Sequence, residues 1–188
     1  MFRLFPLVAL AFIANTANAE LIPASSDPCQ LDRLQVKFGD VRYSCGKQVA
    51  LDTFTNGDAK SVRVDVTLDG RFSEENKIYT LVMVDPDAPS TLPSYWVHWL
   101  VTNIAEEDFA HGYHSNTNSE NEILGYKPPS PPSGKPHRYQ FFTFKQPKQF
   151  GSGEIKAPNR GGFDLASFQS RYNLVGPIAG YQILTERM

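Results

Sequence analysis

The sequence predicts a mostly β fold, a sandwich of two antiparallel sheets with a short helical segment near the C-terminus. Two observations favour this fold class. Several short segments are rich in β-branched and aromatic residues, and helical spacing of apolar residues occurs in one segment only. The chain has 188 residues, of which 41% are hydrophobic, and contains neither an internal repeat nor a long linker after its N-terminal segment. We therefore expect one domain with a sizeable core.

The N-terminal segment has the composition of a secretory signal. Arg3 precedes an apolar run from Leu4 to Ala14, and Ala17-Asn18-Ala19 follows as a small-residue cleavage site. A membrane anchor is the alternative, but this run is too short to span a bilayer. The sequence predicts a signal peptide over residues 1–19 and a domain over residues 20–188. It also predicts a secreted, extracellular protein, with a lysosomal or other lumenal location as the alternative.

Four segments predict strands. In "SVRVDVTLDGRF", Val62, Val64, Val66 and Leu68 alternate with polar residues up to a turn at Asp69-Gly70, as in a half-buried strand. The segment "KIYTLVMVD" is apolar on both faces, which is typical of a central strand. The segments "YWVHWLVTNI" and "HRYQFFTFKQ" are dense in aromatic and β-branched residues.

The segment "FDLASFQSRYNLVGP" predicts the helix. Asp164 is a suitable N-cap, and Leu165, Phe168 and Tyr172 recur at helical spacing. We expect Gly176-Pro177 to end this helical run.

The long segment at 106–136 is polar in its middle and rich in proline at its end. That composition is typical of a mobile linker. A loop of this length inside a compact domain is more often functional, so both interpretations stay open.

Composition and cysteine content restrict the partners and the compartment. The net charge is −2, from 18 basic and 20 acidic residues, which gives no support for a nucleic-acid partner. The two cysteines, Cys29 and Cys45, favour one disulfide in an oxidising compartment, where it would stabilise the fold by roughly 3 kcal/mol. Two buried free thiols are the alternative. No transmembrane segment is predicted.

Polar side chains collect at strand ends. Alternation places Trp96 and His98 on one face of their strand, with Val97 and Trp99 on the other. In the next aromatic strand, His137 and Tyr139 share a face and Arg138 points the opposite way. If both strands neighbour the one ending at Asp85, the following side chains converge at one rim: Asp85, Trp96, His98, His137 and Tyr139. Asp87 and Arg138 then meet behind that rim. Each residue alone also fits a turn, edge or core role.

Three blocks in order, "DPDAPS", "YWVHWLVTNI" and "HRYQFF", resemble the signature of the phosphatidylethanolamine-binding protein family, also called the Raf kinase inhibitor protein family. The similarity runs from about Tyr79 to Tyr181. The N-terminal signal, the cysteine pair and "PSPPSG" resemble the secreted branch of that family.

The resemblance implies a sandwich with a small anion pocket that holds phosphate, phosphorylethanolamine-type head groups or acetate. It implies a buried Asp87–Arg138 pair that supports the pocket, and a cis bond between Ala88 and Pro89. One departure from the family pattern, Pro136 directly before His137, bears on the pocket wall at Pro131. The implied ligand-binding residues are Asp85, Ala88, Pro89, Trp96, His98, Pro131, His137 and Tyr139.

We therefore expect a secreted ligand-binding or modulatory protein and no enzyme, with no catalytic residue, cofactor or metal. Its partners are phosphorylated small molecules or phospholipid head groups, and a protein partner such as a kinase-pathway component or a protease. One alternative is a serine-protease inhibitor acting through a surface loop. Another is a metal-dependent hydrolase that uses Asp85, Asp87, His98 and His137, since carboxylate and imidazole ligate metals.

The two histidines also predict a pH dependence. Imidazole ordinarily changes charge between about pH 5 and 8, so both side chains could gain charge as the pH falls from roughly 7.5 to 6. We expect phosphomonoesters to bind more tightly over that range.

Overall fold

The computed structural model describes residues 27–55, 63–69, 77–88, 94–115 and 119–188, which form a four-stranded and a six-stranded sheet. The predicted signal peptide, Gly70 of the predicted turn, and Pro89 with its predicted cis bond lie outside these ranges. The described strands are β1 (Leu34–Phe38), β2 (Val41–Arg42), β3 (Lys47–Gln48), β4 (Val64–Leu68), β5 (Ile78–Asp85), β6 (Trp96–Ala105), β7 (Tyr113–His114), β8 (Glu122–Leu124), β9 (His137–Lys145) and β10 (Val175–Thr185).

The strand order is β2-β1-β4-β7 in the smaller sheet and β3-β10-β9-β5-β6-β8 in the larger. Neighbouring strands are antiparallel, except that β10 and β3 run parallel at one edge of the larger sheet. The predicted mostly β sandwich is confirmed, with one parallel pair added at that edge.

The burial of β4 and β5 follows from their sequences. In β4, Val64, Val66 and Leu68 are buried and the residues between them are half-buried, as alternation predicts. In β5 the apolar residues divide between two cores. Leu81 and Met83 face the smaller sheet, and Val82 and Val84 face the opposite side. A strand that separates two cores must be apolar on both faces.

The helical segment covers the outer face of the larger sheet. Helix α2 (Leu165–Arg171) begins at Asp164, whose Oδ1 accepts a hydrogen bond of 2.9 Å from the Ser167 N–H. Leu165 and Phe168 of α2, with Phe150 and Phe163 from the preceding loop, pack into the second core. The molecule therefore has three layers, with α2 as part of the third.

The expectation that Gly176-Pro177 ends the helical run is wrong. Helix α2 ends at Arg171, and both residues lie inside β10, joined by a cis peptide bond. The pairing of β10 with β9 shifts between Val175 and Ala179, which accommodates the proline that cannot donate to the sheet.

The long segment at 106–136 is not a uniform linker. It contains helix α1 (Glu106–His111), β7, β8 and, before β9, a stretch without regular secondary structure that turns at Gly134. Its residues 116–118 are outside the described ranges.

The predicted disulfide between Cys29 and Cys45 is present. It links a 3₁₀ turn at Pro28–Gln30 to the turn between β2 and β3, across 16 positions of sequence. A second 3₁₀ turn covers Leu51–Phe54. Within the described ranges, no helix has both the length and the apolar character that crossing a membrane requires.

Candidate functional site

A bulge in β6 sets the direction of the site residues. Met83 of β5 pairs with Trp99, whereas Val84 pairs with Val97, so His98 is an extra residue in β6. Val97 consequently packs in the outer core and Trp99 in the inner core. The prediction that these two residues share a face is wrong, because simple alternation assumes unbroken pairing.

A cavity of about 290 Å³ lies where β5 ends and where β6 and β9 begin. Six of the eight predicted ligand-binding residues line it, and Pro89 is outside the described ranges. Pro131 is buried and is not among the lining residues that the structure describes. The cavity is lined by Asp85, Ala88, Trp96, His98, Lys127, Pro128, Ser130, Pro132, His137 and Tyr139.

In the proline-rich stretch before β9, residues that line the cavity alternate with buried residues. Pro128, Ser130 and Pro132 face the cavity, while the alternate residues Pro129 and Pro131 are buried. The structure therefore places Pro132, and not Pro131, along the cavity.

Asp85 and His137 form a buried pair at the cavity. The two side chains are each 3% exposed, and His137 Nδ1 donates to Asp85 Oδ2 at 2.7 Å. Asp85 Oδ1 also accepts from the Asp87 N–H at 2.7 Å. Burial raises the pKa of Asp85, and the hydrogen bonds from His137 and Asp87 offset part of that rise. Because Nδ1 is used by Asp85, Nε2 is the ring nitrogen of His137 that can meet a ligand.

His98 is held in its neutral form. Its Nδ1 donates to the Lys127 carbonyl at 2.7 Å, and the Lys127 N–H donates to the His98 carbonyl at 2.9 Å. Burial lowers the pKa of His98 to about 4, and the positive charges of Arg160 and Lys127 act in the same direction against the favourable bond to the carbonyl. The expectation that both histidines gain charge between pH 7.5 and 6 is therefore wrong for His98.

Tyr139 closes the inner wall of the cavity. Its ring meets the His98 ring edge to face, with centroids 5.0 Å apart. Burial raises the pKa of the Tyr139 hydroxyl, and the nearby carboxylate of Asp85 adds to that rise. The phenol therefore stays neutral and can donate a hydrogen bond to an anion.

Two cationic side chains lie against the Trp96 ring, and the sequence indicated neither of them as a site residue. The Lys127 ammonium and the Arg160 guanidinium each lie 5.6 Å from the centroid of its ring. Arg160 also donates to the carbonyls of Val97 and His98, at 3.0 Å each, and to that of Gly125 at 2.8 Å. Arg160 thereby supplies hydrogen-bond donors to carbonyl groups at the bulge in β6. The sequence held one weak indication that Lys127 is a site residue, since it is the only charged residue in "GYKPPSPPSG".

The structure also brings Asp87 and Arg138 together. Arg138 donates to Asp87 from its backbone N–H at 2.8 Å, from Nε at 3.0 Å and from Nη2 at 2.9 Å. Burial alone would raise the pKa of Asp87, but the hydrogen bonds from Arg138 outweigh it and lower that pKa. The side chains are 20% and 32% exposed, so the pair is half-buried and not fully buried as the resemblance implied.

The metal-hydrolase alternative uses side chains that already have other partners. Asp87 is bonded to Arg138, and His98 Nδ1 to a carbonyl oxygen. The part of the chain that the structure describes contains no group of three or more His, Cys, Asp or Glu side chains suited to hold a metal ion.

Comparisons with known proteins agree with this architecture. The family model described as phosphatidylethanolamine-binding protein matches residues 37–176. A carboxypeptidase Y inhibitor, solved in complex with its cognate proteinase, is 21% identical with a TM-score of 0.61, over 82% of this chain and 83% of that one. The phosphatidylethanolamine-binding protein of Plasmodium vivax is 16% identical with a TM-score of 0.58, over 82% of this chain and 85% of that one. At these identities, the likeness to the two solved structures concerns the fold.

Proposed function

The chain belongs to the phosphatidylethanolamine-binding protein family, and from this premise we propose that it is a secreted binding protein whose cavity holds a phosphate group. That phosphate is either free or part of a small phosphomonoester such as phosphorylethanolamine. Proteins of the family are generally binding or regulatory proteins, so the proposal involves no catalysis. The ligand-binding residues are those predicted from the sequence, with Pro132 in place of Pro131 and with Lys127 added.

The buried Asp85–His137 pair carries the proposal. Asp85 accepts from Nδ1–H of His137, and this bond fixes the imidazole ring so that its other nitrogen, Nε2, is the one that donates to a phosphate oxygen. The neutral Tyr139 hydroxyl supplies a second donor at the same wall. A buried imidazole with a fixed orientation, beside a hydroxyl donor, is a well-directed partner for a phosphate oxygen.

The proposal predicts binding linked to proton uptake. A hydrogen bond from Nε2 of His137 to the anion needs a proton on that nitrogen while Nδ1 donates to Asp85, so by linkage we expect a lower pH to favour the bound anion. His98, whose pKa burial lowers to about 4, does not contribute to this effect between pH 7.5 and 6. Sulfate keeps its charge between pH 7.5 and 6, so its affinity reports the protonation of the protein without titration of the ligand.

Calorimetric titration of inorganic phosphate, phosphorylethanolamine and sulfate tests the proposal. We expect His137→Ala to weaken the binding of all three ligands at least tenfold, because one charge-assisted bond contributes about 1.5–3 kcal/mol. The matched control is His111→Ala, at an exposed histidine of α1, which should bind as the unmodified protein does. If folded His137→Ala binds the three ligands with unchanged affinity, the proposed binding site is wrong.

Export is tested by expressing the whole chain in a secreting cell line. We expect the protein in the medium, with Glu20 as its first residue. Retention in the cell with residues 1–19 still attached would contradict the proposed signal peptide.

The same preparation addresses the inhibitor alternative. If the protein inhibits a serine protease stoichiometrically and His137→Ala inhibits it equally well, the inhibition does not depend on the cavity. A surface loop then becomes the basis of function. Inhibition that is lost together with phosphate binding would instead make the cavity part of the contact with the protein partner.

A further inference from the structure

Lys127 is fixed at the edge of the cavity by its backbone. Its N–H and its carbonyl both bond to His98, at 2.9 and 2.7 Å, so the residue is held against β6. Its side chain lines the cavity, and its ammonium lies 5.6 Å from the Trp96 ring centroid. No carboxylate of a described residue forms an ion pair with this ammonium. Lys127 therefore presents a positive charge to whatever enters.

The other charged groups near this edge of the cavity already have hydrogen-bond partners. The Arg160 guanidinium is bonded to three carbonyl groups, and Asp85 is bonded to His137. His98 is neutral. Across the described residues of the cavity lining, Lys127 is the cation left to act on the part of a ligand that extends from the phosphate.

The Trp96 ring is not a suitable cage for a ligand ammonium. Aromatic faces attract ammonium groups through the negative charge of the ring face. Here two protein cations, those of Lys127 and Arg160, already lie at 5.6 Å from the ring centroid. A third positive charge at this ring would meet their repulsion.

We propose that Lys127 determines specificity, by favouring phosphomonoesters whose substituent carries no positive charge over zwitterionic ones such as phosphorylethanolamine. The inference rests on the proposed function, since it concerns the same cavity. The phosphate lies at His137 in both ligand classes. Lys127 attracts the phosphate in both, and it repels only the ammonium of the zwitterion.

A matched pair of ligands tests this preference. Propyl phosphate and phosphorylethanolamine have the same length and differ by a terminal methyl or ammonium group. For unit charges several ångströms apart at a dielectric between that of a protein surface and that of water, we expect propyl phosphate to bind about fivefold more tightly. Lys127→Gln should lower this ratio toward one, mainly by weakening propyl phosphate, and Lys127→Arg should preserve it.

A matched substitution controls for net charge. Lys37→Gln makes the same charge change on β1 of the other sheet, and the fivefold ratio should remain. Equal affinities in the unmodified protein, or a loss of the same factor for both ligands in Lys127→Gln, would overturn the inference and leave the proposed function intact. If neither ligand binds the unmodified protein, the proposed function itself fails.

Vesicles distinguish a lipid from a soluble source of the phosphomonoester. Sedimentation with phosphatidylcholine vesicles that contain phosphatidic acid should depend on Lys127, but not on Lys37, if the ligand is a lipid. If the protein binds propyl phosphate but not the vesicles, the preference concerns soluble phosphomonoesters. Phosphatidylethanolamine is a zwitterionic phosphodiester, and retention on vesicles that contain it equal to that on phosphatidic acid would contradict the preference.

Discussion

Replacing Asp87 by alanine removes the acceptor of three hydrogen bonds from Arg138. One of the three donors is a backbone N–H, and leaving a buried donor without a partner costs about 1–3 kcal/mol. Loss of one partner from a fully buried ion pair costs about 3–5 kcal/mol, whereas exposed pairs contribute about 0–1 kcal/mol. The side chains here are 20% and 32% exposed, so water partly solvates the remaining guanidinium. We expect Asp87→Ala to lower the free energy of unfolding by about 2–3 kcal/mol.

The loss should depend on pH. Arg138 holds the pKa of Asp87 below its usual range in the folded protein, against the opposing effect of burial. Such a carboxylate stabilises the fold above its unfolded pKa of about 3.9, and this stabilisation is lost as the pH falls through the lower folded value. Urea unfolding followed by tryptophan fluorescence measures both effects. The difference between the variant and the unmodified protein should be full at pH 7 and shrink below about pH 4.

The pair between Arg63 and Asp65 provides the control. Its side chains are 58% and 19% exposed, and its two hydrogen bonds come from the side chain of Arg63 alone. We expect Asp65→Ala to cost less than about 1 kcal/mol. A loss for Asp87→Ala within about 0.5 kcal/mol of zero, or a loss that does not change with pH, would refute the claim that this pair braces the cavity.

Three further outcomes are expected. The neutral His98, with a folded pKa of about 4, should make stability fall as the pH drops from about 6.5 to 4, by roughly 3 kcal/mol, and His98→Asn should flatten this slope in urea unfolding. Replacing Cys29 and Cys45 by serine should cost roughly 3 kcal/mol, and mass spectrometry of the unreduced secreted protein should show the linked peptide pair, with free thiols as the contrary result. Gly180→Ala places a Cβ 2.7 Å from the Pro28 carbonyl oxygen, so thermal unfolding should show a loss of about 1–3 kcal/mol, and an unchanged melting temperature would contradict that contact.

The sequence by itself determined the elements whose signal is local. Alternation predicted β4, apolar character on both faces predicted the central position of β5, and the cap at Asp164 predicted the start of α2. Three short motifs also indicated the family and six of the residues that line the cavity. These signals are readable because side-chain periodicity and capping act within a few residues of the chain.

Only the tertiary structure decided the formation of β10, the bulge in β6 and the charge states of the site residues. Strand β10 contains Gly176 and Pro177, which weaken any local strand signal, and it forms because β9 and β3 pair with it on both sides. The bulge at His98 exists only in the pairing of two strands, so alternation along one strand could not predict it. Lys127 meets Trp96 through folding of a distant loop, and the low pKa of His98 comes from its burial beside two cations. Register, burial and electrostatic neighbours are relations between segments, and these relations exist only once the chain has folded.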